Sequence, residues 1–312
     1  MDDYTRRTRA YLEQLYAGPP PGWGEYVPHA PVQGFRPQSR YLGTYAHTYF
    51  VLQHLGRYEF ASCLDVGAGE GFLGALIERI FGAKVTAVDL SLRACRRAQE
   101  ARLSAVCAEA LLLPFSDQSF DVVVSLNTLE HVPDVAQAYE ELCRVARSVV
   151  VIGMPRARRG QQSESPQTPH AHVSLFTRRQ MQLMFGPQAR LCGSLSFLAR
   201  TLYPLVAEDD VRSNDRYRWL GRPPWSWVYG ALHTAGRVVP RHRSVAWLCR
   251  IEALLAHVLP WWTYETVIVR ELAGARRRRP PLAPRVILRA LLSEDPLLPL
   301  HRGPSANHRL GR

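Results

Sequence analysis

The sequence predicts an α/β fold built on a doubly wound sheet, and two stretches carry that prediction. In Leu64-Asp65-Val66-Gly67-Ala68-Gly69-Glu70-Gly71-Phe72-Leu73 a short apolar run ends in an acid, and glycines then occupy every second position before a helical pattern begins. In Lys84-Val85-Thr86-Ala87-Val88-Asp89 a buried-strand pattern closes on a carboxylate about twenty residues beyond those glycines. Alternating glycines let the backbone approach a ligand closely, and the N–H groups that open the next helix suit an anion. A nucleotide-like cofactor is therefore expected on the loop, with Asp89 reaching its two ribose hydroxyls. A dinucleotide dehydrogenase carries the same pair of features, so these stretches alone leave it open.

The composition, 312 residues with 46% hydrophobic and 21% charged, suits one large globular domain with additions. The formal charge of +12 is concentrated, since nine arginines from Leu272 onward face only Glu294 and Asp295. Lys84 is the only lysine, so the basicity reflects a composition bias as readily as a binding surface, and a nucleic-acid partner is not expected. Cys63, Cys95, Cys107, Cys143, Cys192 and Cys249 contain no Cys-x-x-Cys pair and read as reduced core residues. With no apolar segment suited to a signal peptide near the N-terminus, the expected location is cytoplasmic.

In chain order, residues 1–40 read as an arm or lid: a helical pattern from Tyr4 to Tyr16 is stopped by Gly18-Pro19-Pro20-Pro21-Gly22. Tyr41 to Tyr58 is helical, with Tyr45, Tyr49, Leu52 and Leu55 at helical spacing, and is expected to pack beside the first strand rather than touch a ligand. After the glycine loop come a helix from Phe72 to Ile80, the strand Lys84–Asp89, a helix from Leu92 to Arg102, and strands at Ser104–Cys107 and Val122–Ser125. Beyond Thr177 a helix precedes a strand from Arg190 to Phe197, and the last strand is Glu265–Arg270. The domain thus runs over 41–274, with a helical insertion at about 198–262 before the last strand. That insertion holds a charged turn (Glu208, Asp209, Asp210, Asp215), a Trp-rich stretch from Trp219 to Tyr229 and an apolar helix from Val245 to Leu259. Arg250, Glu252 and His257 interrupt the last, which argues against a transmembrane span and leaves membrane-surface contact open. From Ala275, the run Arg276-Arg277-Arg278-Arg279-Pro280-Pro281 opens a basic tail to residue 312, expected to be mobile, so that ending the chain at Ala275 should preserve the fold.

The stretches LDVGAGEG, VTAVDLS, EALLLPFSDQSFDVVVS, LEHVPD and SVVVIGMP, taken together, resemble the class I S-adenosylmethionine-dependent methyltransferases, in particular the broad small-molecule group called type 11. The resemblance implies a Rossmann-like seven-stranded sheet, parallel except for one antiparallel strand near an edge, and S-adenosyl-L-methionine as cofactor. Carried over residue by residue, it puts Gly67, Gly69 and Gly71 against the methionine portion, with Asp65 addressing its amino group. Asp89, with Leu90 beside it, takes the ribose; Glu109 stands where Asp commonly contacts the adenine amino group, and Ala110 offers its N–H to the ring. Asn127 lies where a backbone carbonyl meets the methionine amine.

Such a cofactor carries a sulfonium whose methyl leaves by in-line displacement, so alignment of the acceptor supplies most of the acceleration, on the order of 7–11 kcal/mol. An acceptor that keeps its proton also needs a base, and His131 in Asn127-Thr128-Leu129-Glu130-His131-Val132-Pro133-Asp134 is the candidate. Glu130 and His131 further resemble part of the metal set of small-RNA and ubiquinone-pathway O-methyltransferases, with His170 or His172 available to join. Those families place a Glu three residues before the pair where this chain has Asn127, so no metal is expected. The Asn-Pro-Pro-Tyr type of motif, a Pro-Cys pair and a Lys-Asp-Lys-Glu set are all absent. The expected activity is methyl transfer to oxygen or nitrogen of a small-molecule acceptor. The rivals are a peripheral-membrane enzyme acting on a lipid-linked or saccharide acceptor, a non-catalytic cofactor-binding module and a dinucleotide oxidoreductase.

Overall fold

Seven strands form one sheet: β1 (Ser62–Val66), β2 (Lys84–Asp89), β3 (Ser104–Cys107), β4 (Phe120–Leu126), β5 (Ala146–Pro155), β6 (Ala189–Ser196) and β7 (Thr263–Glu271). Their order is β3-β2-β1-β4-β5-β7-β6, with β7 antiparallel to both of its neighbours and every other pairing parallel. This computed structural model describes residues 1–17, 34–100, 102–158, 160–196, 202–210, 212, 215–236 and 239–295.

Successive residues of a strand face opposite sides, so a strand that is apolar throughout serves two cores. Val122 and Val124, Val149 and Val151, and Val267 and Val269 meet α2 (Ser39–Leu55) and α3 (Phe72–Phe81). The intervening Val123, Val150, Ile152 and Ile268 meet α5 (Val135–Val145) and α6 (Arg178–Phe185) on the other side. Against β2 and β3 packs α4 (Leu92–Glu100), which ends before Arg102 because that residue turns left-handed at φ +65°. Similarly α2 stops at Gly56, short of the expected Tyr58, which goes on to pair with the C-terminal segment.

The expectation of a mobile tail from Ala275 is corrected for residues 275–292. Glu59 N donates to Arg276 O at 2.9 Å, Arg278 N to Arg57 O at 2.8 Å, and Leu282 N to Gly56 O at 2.8 Å, while Tyr58 bridges Arg277. Backbone groups thus tie down a run whose arginine side chains can stay in water, Arg277 reaching Glu271 at 2.7 Å. The helix Pro284–Leu291 then buries Ile287, Leu288 and Leu291 in the core shared with α2 and α3. The remainder of the expected tail, 296–312, lies outside the described residues.

At the other end α1 (Asp3–Leu15) is capped by Asp2, which accepts from Thr5 N at 2.7 Å. Leu12, Leu15 and Tyr16 bury against Ala94 of α4, and Leu92 N donates to Glu13 Oε1 at 2.6 Å. The Gly18–Gly22 run lies outside the described residues. In the insertion, the helix Arg241–Val258 sends Val245, Leu248 and Cys249 into the core beside α2. Its buried Glu252 accepts from Ser196 N at 2.6 Å and Tyr203 Oη at 3.2 Å, which explains an acid in an apolar run. Among the described residues no helix is long and apolar enough to cross a membrane.

Candidate active site

The strand order reverses at β1, with β2 on one side and β4 on the other, and a crevice opens there at the carboxyl ends of the strands. A cavity of about 610 Å³ occupies it. Asp65, Gly67, Gly69, Asp89, Leu90, Glu109, Ala110, Asn127 and His131 all line this cavity. Gly71, expected to face the ligand, does not line it. Held at φ +85° as the first turn of α3 begins, Gly71 leaves room for Leu103, whose Cδ1 would stand 2.5 Å from any Cβ there. Gly67, at φ +76°, is required more severely: a Cβ would fall 2.0 Å from Thr128 Oγ1.

Two carboxyls face this space from the ends of β1 and β2. Asp65 is 2% exposed and its Oδ2 has no hydrogen-bond partner. Burial raises its pKa to about 7, opposed by the Gly74 N–H and reinforced by nearby Asp89. Asp89 accepts from Gly69 N at 2.9 Å and from Ser91 N at 2.8 Å, and burial outweighs those bonds to lift its pKa to about 6. An orphaned carboxylate oxygen beside an N–H-lined glycine loop fits an amino acid's ammonium group, and Asp89's remaining acceptor capacity fits a diol. Asn127 turns the chain at φ +52°, its N–H held by Gly153 O at 2.8 Å.

The same cavity is lined by a histidine cluster. His131, in the short turn Leu129–His131, stacks on His170 with ring centroids 3.7 Å apart and meets His172 edge-on at 4.8 Å. Its Nδ1 lies 3.1 Å from Ala171 O, which fixes the proton there and leaves Nε2 as an acceptor. Burial, aided by the two neighbouring imidazoles, lowers its pKa to about 3, and burial likewise lowers that of His170 to about 4. Glu130 is buried with an unpartnered Oε2, and its carboxyl is held well above the usual range by burial and by Glu265. Ligand atoms of Glu130, His131 and His172 lie within 4.8 Å of one another, a set able to hold a cation.

Helix α1 supplies a wall of the cavity through Tyr4, Thr5, Thr8, Tyr11 and Leu12, continued by its C-cap Tyr16. Tyr4 Oη donates to Ala171 O at 3.0 Å, His170 N donates to Thr8 Oγ1 at 3.1 Å, and Tyr11 stacks on His170 at 5.8 Å. From α2, Tyr41, Thr44 and Thr48 also line the cavity, so that helix both packs on the sheet and faces the ligand space. No described residue of 198–262 lines the cavity, whereas α1 of the expected arm or lid does. The run Tyr4, Thr8, Tyr11 at helical spacing was the available signal, but its partners lie some 160 residues away.

The family model described as a methyltransferase domain, Methyltransf_11, matches residues 64–151. The demethylmenaquinone methyltransferase of Roseiflexus sp. (strain RS-1) is 37% identical over 27% of this chain and 37% of its own length. The malonyl-[acyl-carrier protein] O-methyltransferase of Pseudescherichia vulneris is 39% identical over 31% of this chain and 39% of its own. The chain therefore spans well under half the length of these relatives. The solved geranyl diphosphate C-methyltransferase from Streptomyces coelicolor A3(2) aligns with 89% of this chain and 98% of its own, at 18% identity and a TM-score of 0.49. The match over 64–151 and the sheet order both agree, for this segment, with the resemblance to the class I S-adenosylmethionine-dependent methyltransferases of the type 11 group.

Proposed function

We propose that the protein transfers a methyl group from S-adenosyl-L-methionine to oxygen or nitrogen of a small-molecule acceptor. The observation that carries this reading is the unpartnered, buried Asp65 Oδ2 beside Asp89 and the glycine loop in one cavity with the histidine cluster. When bound, the cofactor supplies an electrophilic methyl. Asp65 would hold its ammonium group, Asp89 its ribose hydroxyls, Glu109 and Ala110 its adenine, and the Asn127 carbonyl its amine. The relatives named for demethylmenaquinone and for malonyl-[acyl-carrier protein] support a metabolite-type acceptor group, and six unpaired cysteines support a reducing, cytoplasmic location.

In this reading His131 takes the acceptor's proton on Nε2. With its basicity depressed to about 3, it serves a phenol-like hydroxyl far better than an aliphatic alcohol. A bound divalent cation is a second reading, favoured by the convergence of Glu130, His131 and His172. Release of S-adenosylhomocysteine over a panel of phenols, alcohols, carboxylates and amines tests the proposal. Turnover with one class assigns it, whereas a protein that binds the cofactor and turns over none of them is a binding module.

The raised carboxyls give a pH prediction. Cofactor binding needs both acids ionised, and both free acids hold protons to unusually high pH, about 7 and about 6. Affinity for S-adenosylmethionine should therefore rise from pH 5.5 to 7.5, by about tenfold per unit for each group still titrating, and level off above. Calorimetry in that range should also detect proton release. An affinity independent of pH would mean that neither acid meets the cofactor.

A further inference from the structure

Six tryptophans of the insertion, Trp219, Trp225, Trp227, Trp247, Trp261 and Trp262, are 46–74% exposed. So large an apolar side chain is normally mostly covered, and here six share one segment. The helix Arg241–Val258 shows how the sequence arranges them. Val245, Leu248, Cys249, Glu252 and Ala256 turn inward, whereas Arg243, Trp247, Arg250, Leu254 and Val258, at spacings of three and four, form an outward stripe. Trp247, Leu254 and Val258 are 55%, 61% and 54% exposed, and Trp261 and Trp262 follow directly at 64% and 50%. Between Arg216 and Trp262 the sequence has seven arginines and a single acid, Glu252, which is buried.

We propose that the outward stripe of this helix, continued by Trp261 and Trp262, docks on an anionic lipid bilayer, with Trp247, Trp261 and Trp262 at the headgroup level and Arg243 and Arg250 against lipid phosphates. Indole rings with one apolar and one polar edge favour that depth, and each arginine near an anionic surface strengthens binding several-fold. Charge complementarity selects this occupant over a second copy of the chain. A two-fold interface would set the same arginine-rich, acid-free stripe against itself. The face also ends beside the cavity wall: Arg156, which follows the cavity-lining Pro155, donates to Trp261 O at 3.0 Å and to Thr263 O.

The test is co-flotation of the full chain with vesicles of phosphatidylcholine alone and of phosphatidylcholine with 30% phosphatidylglycerol, at 0.1 M salt. Binding to the anionic vesicles should be at least about tenfold tighter and should weaken as salt rises. A Trp247→Ala/Trp261→Ala variant should lose at least about tenfold, an Arg243→Glu/Arg250→Glu variant should lose the preference for anionic lipid, and both should melt like the parent. In the parent, brominated lipids should quench tryptophan fluorescence. Equal flotation of parent and tryptophan variant, or none by the parent, overturns the proposal. So does a dimer in sedimentation that the tryptophan variant abolishes, or binding to nucleic acid alone. Cofactor affinity should be the same in all variants, so a failure here leaves the methyltransferase reading untouched, and the converse holds.

Discussion

A chain ended at Ala275 should lose most of its stability rather than keep its fold. Ile287, Leu288 and Leu291 are 0%, 5% and 3% exposed in a core shared with α2 and α3. At about 1.5–3 kcal/mol for each buried side chain, the loss comes to about 5–9 kcal/mol, on the scale of a whole domain's stability. The backbone bonds that Gly56, Arg57 and Glu59 make with the strap go with them. Melting at least about 10 °C lower, or aggregation, is expected. Ile287→Asp in the full chain should reproduce much of the effect, and a truncated chain melting within about 2 °C of the parent would show that the helix contributes nothing.

Replacement of His131 by Asn should lower methyl transfer by about 10² to 10⁴, with cofactor affinity changed less than about twofold. The side chain lies in the cavity with Nδ1 committed to Ala171 O, so its loss removes an acceptor atom rather than a strut of the glycine loop. Because its pKa sits near 3, His131 contributes no limb to the activity profile at pH 5–8. Acid loss of rate in that range should vanish at saturating cofactor, since it reports Asp65 and Asp89. Chelation separates the two readings of the cluster. Turnover lost to chelator and restored by Mg²⁺ or Mn²⁺ assigns Glu130, His131 and His172 to a cation, and unchanged turnover removes it. A mutant with full turnover removes the base.

Those expectations show what a sequence discloses. Local signals were sufficient for β2 and β3, whose limits match the apolar runs Lys84–Asp89 and Ser104–Cys107, and for the loop that begins at Gly67. They were sufficient as well for nine residues of the cavity wall, because the strand ends that carry them are fixed by the sheet's order. That Gly71 does not line the cavity is not legible, because alternate glycines look alike in sequence although one faces a cavity and another faces Leu103. The strap Arg276–Leu282 read as solvated because its side chains are charged, whereas its backbone bonds to residues 56–59 leave no trace in composition. Likewise the contacts of Tyr4 and Thr8 with residues 170–171 are made across the whole fold, and nothing local encodes them.

The central claim is that S-adenosylmethionine lies on the glycine loop with its ribose on Asp89, and calorimetry on the parent and Asp89→Ala tests it most directly. The parent should bind S-adenosylmethionine and S-adenosylhomocysteine but not NAD. The variant, checked to be folded by its melting curve, should bind at least about tenfold more weakly, since a hydrogen bond to a charged group contributes about 1.5–3 kcal/mol and Asp89 also anchors Gly69. Binding of NAD in place of S-adenosylmethionine, or an affinity that the folded Asp89→Ala variant leaves unchanged, would contradict the account.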